Sequence, residues 1–325
     1  MKATAIAPSN IAFIKYWGKK DEELRLPTNG SISMNLSDIF TATTVDFDAK
    51  YKEDTVIIDG KKLENEIRRV IKHLHRIRKI AKTSVNAKVV SKNNFPSSTG
   101  LSSSASGIAA LTLAAAKAAG LNLSEKQLSI LARLGSGSAC RSIPNGFVEW
   151  LEGRTNETSY AYSLYPVSYW NLLDIVIIVS KVKKDTATTE GQKLITTGPF
   201  FESRLININR KIILCKKYLK EKNFIKFGEL CEAEALELHA IMLTSVPSLI
   251  YWLPWTIQIM KSIKKWRSEN LPVYFTINTG HTVHILVEEK NKDTLLKKLG
   301  KEKYIKKIVV NKPADGARLI DKHLF

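Results

Sequence analysis

A stretch of small residues in the first half of the chain limits its possible folds more than any other feature. The segment Pro96-Ser97-Ser98-Thr99-Gly100-Leu101-Ser102-Ser103-Ser104-Ala105-Ser106-Gly107 leads into a run, Ser102–Ala119, made almost entirely of small residues and leucine. This run predicts a helix that ends at Gly120, and the residues before it, Val85–Val90, predict a strand. Side chains this small allow a helix to pack closely against its neighbours, which is one interpretation of the segment.

The same segment is also suited to phosphate binding. Small side chains let backbone N–H groups approach an anion, and a helix start adds unpaired donors and the positive end of the helix dipole. Gly100 and Gly107 supply the glycines, and Ser102, Ser103 and Ser104 supply hydroxyl donors. The segment is neither a Walker A motif nor a dinucleotide fingerprint. From the residues alone, a phosphate loop and a close-packed helix both remain open.

The apolar patterns elsewhere predict a mixture of strands and helices. Strands are predicted at residues 2–16, 30–48, 56–60, 85–90, 147–151, 173–179, 273–277 and 282–288. Helices are predicted at residues 61–82, 102–119, 128–134, 205–218, 224–242, 252–266 and, as a final surface helix, 290–299. A capping box begins at Ser124. Strands and helices do not alternate strictly, which favours the α+β class over a doubly wound sheet.

The charge pattern and the apolar runs of the sequence exclude several classes of protein. The net charge is +19, but the lysines are spread over amphipathic segments and form no nucleic-acid-binding motif. We therefore expect no nucleic-acid partner, with solvated basic faces or attraction of a phosphorylated small substrate as the alternatives. No apolar run is long enough to span a membrane and no secretory signal is evident, so a cytoplasmic location is expected.

The three cysteines, Cys140, Cys215 and Cys231, have no metal-binding spacing. We therefore expect no metal site and no disulfide framework, although one intermolecular bridge at Cys215 or Cys231 remains open.

Two further polar segments are candidates for chemistry. Gly135–Ser142 follows a predicted helix and places Arg141 among hydroxyls and glycines, where a guanidinium fork suits a carboxylate or a phosphate. A tight turn with a surface arginine is the alternative. Ala7–Lys19 holds Lys15 and Lys19 around Tyr-Trp-Gly, and these lysines are also compatible with an ordinary strand end.

Taken together, these segments resemble the diphosphomevalonate decarboxylase family of the GHMP kinase superfamily, in matching order and spacing. The resemblance rests on Ala7–Lys19, Asn93–Gly107, Leu131–Trp150, His239, Pro247 and Tyr274–Gly280. It implies an α+β GHMP kinase fold, with a ribosomal S5 domain 2-like N-terminal domain and a ferredoxin-like C-terminal domain. We place these domains at residues 1–180 and 181–325, with the substrate cleft between them, and expect a homodimer.

The family motifs also imply roles for individual residues. Lys15 and Arg141 resemble the groups that meet the carboxylate and the 3-oxygen of a phosphorylated mevalonate. Four residues resemble those that surround the 5-phosphate of the substrate in the family, here called the cradle residues: Tyr16, Lys19, Ser136 and Ser138. The phosphate or nucleotide loop comprises Gly100, Ser102, Ser103, Ser104 and Gly107, of which Ser103 and Ser104 resemble the residues that handle the transferred phosphate.

One position departs from the family pattern. ATP-using relatives carry an aspartate where this chain has Asn278, and an amide neither accepts a proton nor carries negative charge at neutral pH. The segments Val246–Thr256 and Val273–Phe275 resemble the archaeal branch, which includes phosphomevalonate and mevalonate 3,5-bisphosphate decarboxylases. The leading hypothesis is therefore an ATP-independent elimination of 3-phosphate and carbon dioxide from mevalonate 3,5-bisphosphate, giving isopentenyl phosphate without a cofactor.

Other readings of Asn278 stay open. An ATP-dependent decarboxylase would need ATP and Mg²⁺ and would release an isopentenyl phosphate or diphosphate. A mevalonate 3-kinase would phosphorylate without decarboxylating, and a basic nucleic-acid-binding protein is the non-enzymatic alternative. His281 or His284 could also replace the acid-base function of the aspartate, although on a regular strand they would point to opposite faces.

Overall fold

The computed structural model describes residues 1–95, 101–180, 182 and 185–325. Its strands, in chain order, are β1 (Lys2–Ile14), β2 (Lys19–Asp21), β3 (Leu26–Pro27), β4 (Ser31–Phe47), β5 (Thr55–Ile58), β6 (Ala87–Asn93), β7 (Phe147–Trp150), β8 (Ala161–Tyr165), β9 (Leu172–Ile178), β10 (Tyr274–Ile277), β11 (Val283–Glu288), β12 (Lys307–Asn311) and β13 (Arg318–Ile320). Its helices are α1 (Glu64–Ala81), α2 (Ser103–Ala118), α3 (Glu125–Gly135), α4 (Thr188–Gly191), α5 (Phe201–Glu221), α6 (Phe224–Leu243), α7 (Pro254–Ser268) and α8 (Lys292–Leu299), with 3-10 segments at Gly137–Ser142, Gln192–Thr197 and Glu289–Asn291.

The larger sheet is built on the two long strands β1 and β4, which are antiparallel neighbours. Around them the strand order is β13-β1-β4-β6-β5, and β7 and β8 extend from the other end of β4. Helix α2 packs directly on β1 and β4. Its alanines are buried, because a side chain of one methyl group lets the helix approach the sheet closely. The close-packed interpretation of this helix is therefore confirmed.

The smaller sheet has the order β10-β11-β9-β12, with all neighbours antiparallel. One of its faces forms a core with α7 and α8, in which Ile175, Phe275 and Ile285 are fully buried or nearly so. Another core joins the two sheets through α5 and α6, where Phe13 of β1 packs edge-to-face on Phe227 of α6 with ring centres 4.8 Å apart. Residues at the end of β1 therefore lie where the two halves of the molecule meet.

The predicted class and most predicted elements are confirmed. The sheets and helices form an α+β fold, and Ser124 caps α3 through the predicted capping box with Gln127. The predicted final surface helix at 290–299 is confirmed as α8, but the prediction did not include β12 and β13, which follow it. These strands have three to five residues, and β13 forms only by pairing with β1, which local periodicity does not reveal.

The division of the chain at residue 180 stays a prediction. The changeover between the sheets falls between β8 and β9, because β9 pairs with β11 and β12 of the smaller sheet. The end of the chain returns to the larger sheet through β13. The smaller sheet is therefore built from consecutive strands, β9 to β12, whereas the larger sheet takes its last strand from beyond them.

The described structure also bears on the cysteines and on membrane insertion. Cys140, Cys215 and Cys231 are free and fully buried. Burial keeps Cys215 and Cys231 from a partner chain while the fold is intact, which argues against the intermolecular bridge that the sequence left open.

None of the described helices combines the length and the apolar character needed to cross a membrane.

Candidate active site

Lys15 follows the last residue of β1 and is almost fully buried, at 2% exposure. Its Nζ donates to the carbonyl oxygen of Ala12 at 2.6 Å, to Oγ1 of Thr276 at 2.6 Å and to Oδ1 of Asn278 at 3.2 Å. None of these acceptors is a carboxylate. Burial disfavours the charged ammonium and lowers the pKa of Lys15 to about 7, so this side chain can exchange a proton near neutral pH.

Asn278 lies immediately after β10 and links Lys15 to the start of α2. Its Nδ2 donates to Oγ of Ser102 at 3.2 Å, and its backbone oxygen accepts from Nε2 of His239 at 3.0 Å. Burial lowers the pKa of His239 to about 3, which keeps this imidazole neutral. Thus Asn278 is oriented from both its side chain and its backbone.

Arg141 stands on the 3-10 segment Gly137–Ser142 and is buried, at 4% exposure. Its Nη1 donates to Oγ of Ser31 at 2.7 Å, and its Nη2 donates to Oδ1 of Asn10 at 3.1 Å. Its Nε is buried and has no hydrogen-bond partner among the residues that the structure describes. A buried guanidinium with an unused donor is suited to a bound anion, so the alternative of a surface arginine is wrong.

Lys15, Asn278 and Arg141 line one polar cleft of about 630 Å³, which is called the first cleft below. Four cationic side chains face it: Lys15, Arg25, Arg69 and Arg141. Among the described residues, no aspartate or glutamate lines this first cleft. A cleft that is lined by four basic side chains and by no carboxylate attracts small molecules that carry several negative charges.

The predicted residues Tyr16, Ser136 and Ser138 also line the first cleft. Oγ of Ser136 lies 3.4 Å from Oγ of Ser104 at the start of α2. Tyr16 packs over Gly137, where an added Cβ would come within 2.7 Å of the Tyr16 hydroxyl oxygen. Burial raises the pKa of Tyr16, so its hydroxyl stays protonated and can donate. The structure therefore brings together segments of the chain that the sequence showed only as separate motifs.

Lys19 has a different position from the other predicted cradle residues. Its side chain is buried on β2 and its ammonium pairs with the carboxylate of Glu22. It is not among the residues that line the first cleft. Its role in binding phosphate stays a prediction.

A second cleft, of about 1110 Å³, lies on the other side of the start of α2. The predicted loop residues Ser103 and Gly107 line this cleft, Ser102 lines the first cleft, and Ser104 lines both. The apolar side chains that line the second cleft are Ile58, Leu63, Val70, Ile108 and Leu111. Gly100, together with the rest of 96–100, lies outside the described residues.

Several residues of the first cleft were missed by the sequence reasoning. Arg25 and Arg69 belong to basic or mixed-charge segments that look like ordinary solvated surfaces. Three others are Thr188, Thr189 and Gln192, which lie on or beside the four-residue helix α4. A helix this short leaves no periodic pattern in the sequence from which it could be predicted. The positive φ of Arg25, 50°, marks a turn but is not readable from the residue type.

The histidines considered as replacements for the aspartate have other partners. Nδ1 of His284 lies 2.9 Å from a carboxylate oxygen of Asp174 inside the smaller sheet. Nε2 of His281 lies 3.3 Å from the carbonyl oxygen of Ser180. Neither histidine lines the first cleft. Within the described part of the chain, no three His, Cys, Asp or Glu side chains converge in a way that could hold a metal ion.

Comparison with known proteins gives a consistent result over nearly the whole chain. Residues 7–161 match the family described as "Diphosphomevalonate decarboxylase-like N-terminal domain". Residues 174–317 match "Mevalonate 5-diphosphate decarboxylase C-terminal domain". A solved structure described as "MDDEF in complex with MVAPP, AMPPCP and Magnesium" is 39% identical, with a TM-score of 0.93 and 99% of each chain covered. The predicted two-domain GHMP kinase fold is thereby confirmed.

Two curated relatives represent different branches. The diphosphomevalonate decarboxylase of Candida albicans is 35% identical, covering 92% of this chain and 88% of the relative. The phosphomevalonate decarboxylase of the archaeon Haloferax volcanii is 32% identical, covering 90% of each. The two family matches, over residues 7–161 and 174–317, lie in both halves of the molecule. This chain belongs to the diphosphomevalonate decarboxylase family.

Proposed function

We propose that the chain decarboxylates a 5-phosphorylated mevalonate in an ATP-dependent reaction that gives an isopentenyl phosphate or diphosphate. The observation that carries the proposal is the pair of clefts that meet at Ser104 and Arg69. Two adjoining clefts, one polar and cationic and the other lined largely by apolar side chains, suit a reaction between two substrates. The structural neighbour in complex with MVAPP, AMPPCP and magnesium supports the same assignment. The proposal therefore favours ATP dependence over the ATP-independent reading of the sequence.

The first cleft suits a substrate that carries a carboxylate and at least one phosphate. Its four cations meet no carboxylate among the described lining residues, so their charge is available to a ligand. We assign the substrate carboxylate to the guanidinium of Arg141, which has an unused donor. The 5-phosphate end is assigned to Tyr16, Ser136 and Ser138.

The second cleft suits a nucleotide. Apolar side chains on β5, α1 and α2 provide surfaces for a base, while Asp59 and Asn93 provide polar groups beside them. Ser103 and Ser104 lie in the first turn of α2, where unpaired N–H groups and the helix dipole favour phosphate oxygens. A triphosphate held there would point toward the first cleft past Ser104.

Magnesium fits the oxygen donors at this junction. An added Cβ on Gly107 would meet nothing within 4 Å, so the start of α2 faces open space. Since no acidic cluster converges in the described residues, the ion would be held mainly by phosphate oxygens, water and the hydroxyls of Ser103 and Ser104. Bound magnesium would offset the charge of the phosphates.

The reaction has two balanced steps. The 3-oxygen of the substrate bonds to the terminal phosphorus of ATP while the bond from that phosphorus to ADP breaks, and the hydroxyl proton passes to the neutral Nζ of Lys15. The bond from C3 to the new phosphate then breaks, and the electrons of the bond to the carboxylate form the alkene and release carbon dioxide. Lys15 and Arg141 would stabilise the departing phosphate and hold the carboxylate.

Asn278 supports a second candidate, the ATP-independent elimination from mevalonate 3,5-bisphosphate. The amide of Asn278 lies beside Lys15 and Ser102 but cannot accept the proton of a 3-hydroxyl. A substrate that is already phosphorylated on the 3-oxygen has no such proton to lose. The archaeal relative is compatible with placement in the archaeal branch, but this placement stays a prediction.

A product assay decides between the candidates. Purified protein is incubated with mevalonate 5-phosphate, mevalonate 5-diphosphate or mevalonate 3,5-bisphosphate, with and without ATP and magnesium, while carbon dioxide, phosphate and ADP are followed. The proposal expects equal amounts of ADP and carbon dioxide from a 5-phosphorylated substrate. Carbon dioxide from the bisphosphate without ATP, and none from the other two substrates, would establish the second candidate. ADP without carbon dioxide would identify a 3-kinase.

The finer expectations stay predictions. The choice between the 5-phosphate and the 5-diphosphate is decided by the same assay through the ratio of kcat/KM for the two substrates. A homodimer is expected from the family, and sedimentation velocity measures it directly. A cytoplasmic location and the division into residues 1–180 and 181–325 also stay predictions.

A further inference from the structure

A buried ion pair on the helices between the two sheets contacts the backbone of Lys15. Glu234 of α6 and Arg204 of α5 have side chains with no exposed surface. Nη1 and Nη2 of Arg204 donate to the carboxylate of Glu234, at 2.9 and 3.0 Å. This two-point geometry is the strongest form of a carboxylate–guanidinium pair.

The pair holds the Lys15 peptide from both sides. The backbone N–H of Lys15 donates to Oε2 of Glu234 at 3.1 Å, and the backbone oxygen of Lys15 accepts from Nη2 of Arg204 at 3.0 Å. Lys15 follows the end of β1 and lies outside the hydrogen-bonded pairing of β1 with β4. Its backbone N–H and carbonyl groups therefore need other hydrogen-bond partners. The contacts reach over 219 and 189 positions of sequence, from the second half of the chain to the first.

We propose that Arg204 and Glu234 are positioning residues that hold Lys15 at the first cleft and tie its place to the packing of α5 and α6. The inference rests on the proposed function only in assigning Lys15 to the reaction. The hydrogen bonds of Lys15 Nζ to Thr276 and Asn278 require the Lys15 backbone to be fixed relative to β10, which lies beside α6. The ion pair accepts from the Lys15 N–H and donates to the Lys15 oxygen, and it supplies that constraint together with Asn29, whose Nδ2 also donates to the Lys15 oxygen at 3.0 Å.

The charge of Glu234 also acts on the protonation of Lys15. Burial is the largest influence and lowers the pKa of Lys15, whereas the Glu234 carboxylate raises it. The other titratable or charged groups that face Lys15 are Cys231 and His239 on α6, Arg204 on α5, Arg141 on the 3-10 segment and Asp174 on β9. Replacing Glu234 by a neutral residue should therefore move the pKa of Lys15 further down.

Glu237 provides a matched control in the same network. Its carboxylate pairs with Arg204 and Lys211, as that of Glu234 does, but its hydrogen bonds do not include Lys15. Glu234→Gln and Glu237→Gln thus make the same change of charge. Only the first alters the group that accepts from the Lys15 N–H.

The test is an NMR titration of protein labelled with 13C-lysine, in which the Lys15 signal is identified by its loss in Lys15→Met. Glu234→Gln should lower the pKa of Lys15 and reduce kcat roughly 10- to 100-fold, as expected for a displaced reacting group. Glu237→Gln should leave both close to wild type. Equal effects of the two substitutions, or no effect of Glu234→Gln, would overturn the proposal.

A conservative substitution covers the case in which Glu234→Gln does not fold. Glu234→Asp keeps the charge but withdraws the carboxylate by one methylene, so the pKa of Lys15 should stay near that of wild type while kcat falls. A wild-type kcat in this variant would contradict the positioning role. The titration needs no substrate, so it still decides this proposal if the assay of the proposed function fails.

Discussion

Oδ1 of Asn278 accepts a hydrogen bond from Nζ of Lys15 over 3.2 Å, so a neutral amide is one of the three uncharged acceptors around this buried amine. A carboxylate at the same place would form an ion pair with that ammonium. Because the amide carries no charge, burial dominates and the pKa of Lys15 is lowered to about 7. The protonation of Lys15 and the identity of residue 278 are thus coupled in this molecule.

Asn278→Asp should raise the pKa of Lys15, because a carboxylate beside the ammonium favours its charged form. The NMR titration of the Lys15 signal measures this change. Asn270→Asp makes the same substitution at an exposed turn and should leave the signal unaltered. A Lys15 pKa that is the same in Asn278→Asp and wild type would show that the two side chains do not interact as described.

Arg141→Ala should lower kcat/KM roughly 10²- to 10³-fold, because it removes a buried donor assigned to the substrate carboxylate. Arg141→Lys should recover only part of the loss, since an ammonium cannot reproduce the planar fork. Circular dichroism and thermal unfolding check that the variants fold, and the exposed Arg154→Ala serves as the control. Unchanged turnover in Arg141→Ala would remove Arg141 from the site.

Gly107→Leu should obstruct the second cleft without disturbing the fold. An added Cβ meets nothing within 4 Å, and leucine is a better helix former than glycine. A steric cost of about 1–3 kcal/mol to nucleotide binding would raise KM for ATP roughly 5- to 150-fold, while KM for the mevalonate substrate stays unchanged. Gly107→Ala should have a smaller effect. An unaltered KM for ATP in Gly107→Leu would place the nucleotide elsewhere.

Lys15 should make the stability of the protein depend on pH. Its pKa is lowered from 10.5 to about 7 on folding, so between these values the unfolded chain binds more protons than the folded chain. The free energy of unfolding therefore rises with pH across this window, by an amount on the order of a few kcal/mol. Below pH 7 the full cost of burying the ammonium is present.

Lys15→Met lacks this dependence and isolates it from all other titrating groups. Urea unfolding of both proteins at several pH values between 6 and 10 should show the wild type gaining stability relative to the variant as pH rises. A constant difference between the two proteins over this range would mean that Lys15 keeps an ordinary pKa when folded.

The sequence by itself determined the features that depend on short-range patterns. The small residues from Ser102 to Ala119 encode a helix that packs closely, and the capping box of Ser124 marks the start of α3, because both depend on neighbours within a turn or two. The motif segments also led to the correct family, fold and α+β class. They pointed to Lys15, Arg141 and Asn278 as a group before any distance between them was known.

Only the tertiary structure decided which side chains meet. Lys15 and Asn278 are 263 positions apart, and the packing of the two sheets against α5 and α6 brings them together. Arg25 and Arg69 enter the first cleft from segments whose local pattern is that of solvated surface, whereas the ammonium of Lys19 pairs with Glu22. Local periodicity records which face of an element is apolar. It carries no information on which distant element covers that face, so the clefts and the support of the Lys15 peptide emerge only in the folded chain.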